Sequence, residues 1–113
     1  MRDFTLYLKD IVRSMELIQS FVEGMDFSVF TQDEKTKSAV VRQFEIIGEA
    51  AKMVPEHIRA EYPKVPWKRM AGMRDKLIHF YFGTDYETVW GTIEDVIPEI
   101  KPVIEQMVQK LQA

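Results

Sequence analysis

An all-α fold, a small up-and-down bundle of four to five helices, is what this sequence predicts. Three observations carry that prediction. Apolar residues recur at steps of three and four over long stretches, the spacing of one helix face. No segment shows the strict apolar–polar alternation of a half-buried strand, and hairpin dipeptides such as Asn-Gly are missing.

The first helix carries the stripe Phe4, Leu8, Ile11, Met15, Ile18 and Val22, and Gly24 ends it. A short connection, Met25 to Phe30, follows. Thr31 and Glu34 have capping-box spacing and open a second helix, with Gln32, Asp33 and Glu34 in its first turn. Its stripe is Val40, Phe44, Ile47, Ala51 and Val54, and Pro55 closes or kinks it, because proline has no amide hydrogen to donate. The stretch "PEHIRAEYP" makes about two turns, from Pro55 in the first turn to Pro63 as the stop. The next helix runs from Pro66 near its start to Gly83 after its end. Thr84 and Glu87 repeat the capping-box spacing and begin a helix through Trp90, Ile93 and Ile97. Pro98 and Pro102 interrupt or bend it, which predicts two pieces in tandem before Leu111. So many short helices around a small core leave apolar faces that suit a second copy, so a homodimer is expected.

At 113 residues the chain is read as one domain, 1–113, burying roughly two thirds of its unfolded surface. Hydrophobic residues at 46% beside charged residues at 29% match a soluble globular protein. Its apolar runs are far shorter than a membrane span, and Asp3, Lys9 and Asp10 break any leader-like opening, so a cytoplasmic location and no membrane partner are expected. The absence of cysteine excludes disulfides, thiol catalysis and thiolate metal sites. Neither His57 nor His79 has a Glu three residues before it, so a carboxylate-bridged metal pair is not predicted, and no cofactor is called for. The net charge of −3 argues against a whole-surface grip on nucleic acid. Residues 52–83, however, carry seven basic and three acidic side chains, a local net of +4. Any anion-binding surface belongs there, unless Lys52, Arg59, Lys64 and Lys68 merely balance acids on other helices.

The stretch "RDKLIHFYFG" (74–83) carries the chemistry. On a helix the neighbours of Arg74 are Met70, Ala71, Leu77 and Ile78, all apolar. An arginine there either extends its head out of the patch or finds a carboxylate or phosphate, since burying it alone costs several kcal/mol. Glu45 and Glu49 are the candidate carboxylates; one-turn spacing makes them a weak acid–base pair, and Glu49 reads better as a partner for Arg42 or Arg74. Tyr81 lies two turns beyond Arg74 on nearly the same face, either open to modification or a stacked interface aromatic. His79 is about 140° round the helix, and Asp75, its i−4 neighbour, could fix its tautomer. Arg69 and Lys76 read as phosphate positioners or as solvated charges. Gly48 lets two helices approach closely or is a tolerated cost.

These residues resemble the HepT-like toxins of the HEPN superfamily, whose signature R-x4-H-x-Y is matched by "RDKLIHFY". The similarity extends through "VVRQFEIIGEAAK" (40–52), "VPWKRMAGMRDKLIHFYFG" (65–83) and "TVW" (88–90). What the resemblance implies is a HEPN-like dimeric bundle and a toxin that cleaves RNA without a metal. His79 would serve as general acid or base while the RNA 2′-hydroxyl attacks the adjacent phosphate, and Arg74 would stabilise the phosphoryl charge, with two chains supplying one cleft. It also implies a minimal nucleotidyltransferase (MNT) antitoxin that transfers AMP to Tyr81. The position after the motif arginine is commonly Asn in these toxins and is Asp75 here, an added negative charge beside the phosphate site unless it turns toward His79. A non-catalytic bundle that binds nucleotides or serves as a subunit of the nucleotidyltransferase is the competing expectation.

Overall fold

Asp3 starts α1 (Phe4–Phe21) by accepting from the Thr5 amide and hydroxyl, both at 2.9 Å. The computed structural model describes residues 3–79 and 85–112, apart from the side chains of residues 76–79. The predicted stripe is buried from Leu8 to Val22, and Gly24 turns the chain with a φ of +78°, a left-handed conformation that suits a residue without Cβ.

The expected connection through Phe30 is instead a helix, α2 (Phe27–Gln32). Asp26 caps it by accepting from the Val29 amide, and Phe30 anchors it, fully buried with its ring 5.1 Å from Trp90 and 6.1 Å from Tyr86. The predicted cap at Thr31 is also displaced. Thr31 lies inside α2, donating its hydroxyl to the Ser28 carbonyl, while Asp33 caps α3 (Glu34–Met53) by accepting from the Thr36 amide. A carboxylate is the stronger acceptor for helix-end amides, and the macrodipole favours its charge. The same correction applies later, where Asp85, not Thr84, caps α6 (Tyr86–Gly91) through the Glu87 and Thr88 amides. Thr84 itself lies outside the described residues.

Pro55 ends α3 and sits just before α4 (Glu56–Glu61); α5 (Trp67–His79) follows Pro66. The last pieces are less separate than Pro98 and Pro102 predict. A π-helical turn, Thr92–Val96, joins α6 to α7 (Ile97–Gln112), with the Ile97 amide donating to the Thr92 carbonyl. The wider turn accommodates the ring of Pro98. Pro98 and Pro102 lie on the exposed side of this segment, away from the buried Ile97, Ile100 and Ile104.

The long helices form the bundle. α3 packs between α1 and α5, α1 packs on α7, and α2 bridges α3 and α6. Their buried faces make one cluster, in which Leu8, Ile11, Ile18, Phe30, Val40, Ala51 and Ile104 are wholly enclosed. No strand occurs among the described residues, and none of their helices is long and apolar enough to cross a membrane. The all-α bundle expected from the stripes is the observed fold.

Candidate active site

The site begins with a close approach of two helices. Gly48 on α3 is buried against α5, and a Cβ placed there would overlap Arg74 Cβ and lie 3.0 Å from the Met70 carbonyl oxygen. Gly48 is therefore the contact that lets α3 and α5 meet backbone to backbone, and it fixes the root of Arg74. Trp67 and Met70, on the same stripe, are buried and hold α5 in register.

From that root the Arg74 side chain runs along α3, 32% exposed. Its Nη2 lies 3.6 Å from Glu49 Oε1, and its Nη1 donates to Asp75 Oδ1 at 3.1 Å. Lys52 Nζ donates to the same Asp75 oxygen at 2.9 Å. Two cations and two carboxylates are thus laced across α3 and α5. Hydrogen bonds from Lys52 first, then from Arg74, hold the Asp75 carboxyl below the usual carboxylate range. Arg74 Nε is buried with no hydrogen-bond partner among the described residues, so the guanidinium retains an unused donor.

The cluster borders a groove of about 430 Å³ between α1, α3 and α5, with Tyr7 and Asp10 on one wall and Glu49, Lys52 and Arg74 on the other. Acids and bases are balanced along this groove, with Asp10 and Glu49 against Lys52 and Arg74, so any preference for an anion rests on the Arg74 fork. A phosphate arriving at Arg74 can replace Glu49 and Asp75, which are half-exposed, as the partner of a fork-shaped donor.

The sequence reading of Arg74 as a snorkelling residue paired with Glu49 agrees with this geometry, while Glu45 pairs with Arg42 at 3.7 Å. Asp75 is committed to Lys52 and Arg74 through Oδ1. Arg69 is not part of the cluster; it lines a separate groove between α4 and the start of α5. The backbone of α5 carries Lys76 and His79, but their side chains fall outside the described residues, as does Tyr81 altogether. Lys52 is the participant that motif reasoning missed. Its only signal was a place in the basic segment, which does not say which carboxylate it meets.

The model of a family described as "Ribonuclease HepT-like" matches residues 11–107. The chain belongs to the HepT-like ribonuclease family. The matched region of this HepT-like chain spans Gly48, Lys52, Arg74, Asp75, His79 and Tyr81 together. It is 48% identical to a Methanocaldococcus jannaschii protein named as an inferred RNase, over 98% of this chain and 96% of the relative. It is 46% identical to a Thermococcus cleftensis protein named "Probable ribonuclease HepT", over 89% and 92%. A third relative, from Caldanaerobacter subterraneus subsp. tengcongensis and also named as an inferred RNase, is 45% identical over 92% of this chain and 93% of its own length. No solved structure matches the HepT-like chain.

Proposed function

We propose that this HepT-like chain is the toxin of a type VII HEPN/MNT toxin–antitoxin system, a metal-independent endoribonuclease acting as a homodimer in the cytoplasm. The observation that supports it most is the Arg74 guanidinium, rooted by Gly48 and held at the edge of an open groove by carboxylates that a phosphodiester can displace. In this reading His79 takes the proton of an RNA 2′-hydroxyl, whose oxygen attacks the adjacent phosphorus. The P–O5′ bond breaks, the departing 5′-oxygen receives a proton, and a cyclic 2′,3′-phosphate remains. Arg74 stabilises the negative charge that grows on the phosphoryl oxygens. Positions 74 and 79 stand about 140° apart round one helix, so a cleft shared by two chains is a natural way to bring both functions to one phosphate.

Regulation in this proposal comes from the cognate nucleotidyltransferase. The Tyr81 oxygen attacks the α-phosphorus of ATP, pyrophosphate leaves, and the attached AMP presents a phosphate that competes for Arg74. The two carboxylates already on Arg74 favour a second reading, a non-catalytic subunit that binds nucleotides or the transferase through the same surface.

Expression without the antitoxin separates the two. Growth arrest that is abolished by Arg74→Ala and by His79→Ala, with unchanged helical circular dichroism, is expected; variants as toxic as the wild type would refute the assigned roles. After coexpression with the antitoxin, mass spectrometry should find one AMP on the peptide containing Tyr81.

A further inference from the structure

The basic residues of segment 52–83 divide in the structure. Lys52 and Arg74 are absorbed by carboxylates, whereas Arg59, Lys64, Lys68 and Arg69 form no ion pair among the described residues. Three of these four converge. Arg59 on α4 and Lys68 and Arg69 on the first turn of α5 line an open groove of about 540 Å³, with Glu56 as the one carboxylate on its wall.

The groove is built rather than merely charged. Its floor is Val65 and Trp67, both buried, and the Trp67 Nε1 donates to the Tyr62 carbonyl at 3.1 Å, which fixes the connection between α4 and α5. Pro63 and Pro66 stiffen the same connection. Arg59 is part-buried on this support, and its Nε is enclosed without a hydrogen-bond partner among the described residues. Part burial restricts the Arg59 side chain, so less rotamer freedom is lost when its guanidinium meets an anion. Lys68 and Arg69 are exposed beside it.

This groove is separate from the Arg74 cluster. Arg69 precedes Arg74 by five residues on α5, about 7.5 Å along the axis and about 140° round it. One helix therefore carries an anion-recognition surface on each of two faces, within the span of a few nucleotides.

We infer that the α4–α5 groove is a second RNA site, in which Arg59, Lys68 and Arg69 hold the phosphodiester backbone of the strand whose cleavage point lies at Arg74. The inference rests on the ribonuclease reading for its ligand. Contacts to backbone phosphates set affinity and register without reading bases, so the groove orients long RNA and leaves sequence choice to the cleft.

The test uses the full-length protein and a labelled, 2′-O-methylated single-stranded RNA, which binds but lacks the attacking hydroxyl. Fluorescence anisotropy gives Kd across a salt series for the wild type, for Lys68→Gln/Arg69→Gln, and for the triple variant with Arg59→Gln added. The double variant alters only exposed side chains and covers the case in which loss of Arg59 disturbs folding. Each lost phosphate contact lowers the slope of log K against log salt by about 0.7, so the triple variant should lose about 2 and bind about tenfold more weakly in moderate salt. The double variant should show about two thirds of that loss of slope. Unchanged affinity and slope in both variants would overturn the inference and leave the groove to an acidic protein surface. Cleavage of unmodified RNA by the wild type is scored separately. Its absence defeats the ribonuclease reading, while the salt slopes still decide the groove.

Discussion

Gly48 is where a single atom has the most leverage over the site. Alanine is ordinarily the better helix residue by roughly 1 kcal/mol. Here its methyl would have to displace Arg74 Cβ and press on the Met70 carbonyl, neither of which is the free end of a flexible chain. Overpacking of this kind costs about 1–3 kcal/mol, enough to outweigh the propensity gain. Gly48→Ala should therefore lower the thermal midpoint and, because α5 must shift, reduce RNA cleavage; a more stable variant with full activity would contradict the close-approach account. The ion pairs around Arg74 were only partly legible beforehand. Glu49 could be paired with Arg74 because an arginine on an apolar stripe needs a carboxylate. Lys52 could not be assigned to Asp75, since that contact depends on how far along each other two helices cross.

At the scale of elements, periodicity located the long helices well because burial enforces it. Leu8 to Ile18 on α1 and Val40 to Ala51 on α3 are the faces that the stripes named. Boundaries were less legible, because several polar side chains near each helix start could accept an amide. Thr31 and Thr84 satisfied the capping-box spacing, yet Asp33 and Asp85 are the caps, and α2 was missed because six residues are too few to show a period. This gives a direct comparison. Amide and hydroxyl donors hold Asp3, Asp33 and Asp85 below the usual carboxylate range, with the Thr36 amide the main cause at Asp33. A carboxyl whose value is lowered on folding stabilises the fold above its unfolded value and loses that contribution as pH falls through the folded one. Asp33→Ala should reduce the thermal midpoint at pH 7 and flatten its decline below about pH 4, whereas Thr31→Ala should do little at either pH. Equal effects of the two would return the cap to Thr31.

Over the whole molecule, charge is distributed by use. Within segment 52–83, Arg59, Lys68 and Arg69 line the groove between α4 and the start of α5 with Glu56 as its one carboxylate, while Lys52 and Arg74, between α3 and α5, are counterbalanced by Glu49 and Asp75. A surface of this kind suits an enzyme that must engage RNA at one region without binding it everywhere. The bundle supports that arrangement because α5 is fixed against α3 at Gly48 and against the α4 connection at Trp67. The central claim is that this scaffold performs general acid–base cleavage of RNA through His79, with Arg74 on the phosphate. The most direct measurement is cleavage of total cellular RNA by purified, unmodified protein in excess EDTA, run beside His79→Ala. Cutting by the wild type, with products ending in a cyclic 2′,3′-phosphate and none from the variant, is the predicted result. No cutting by unmodified dimeric protein, or equal cutting by His79→Ala, would contradict it.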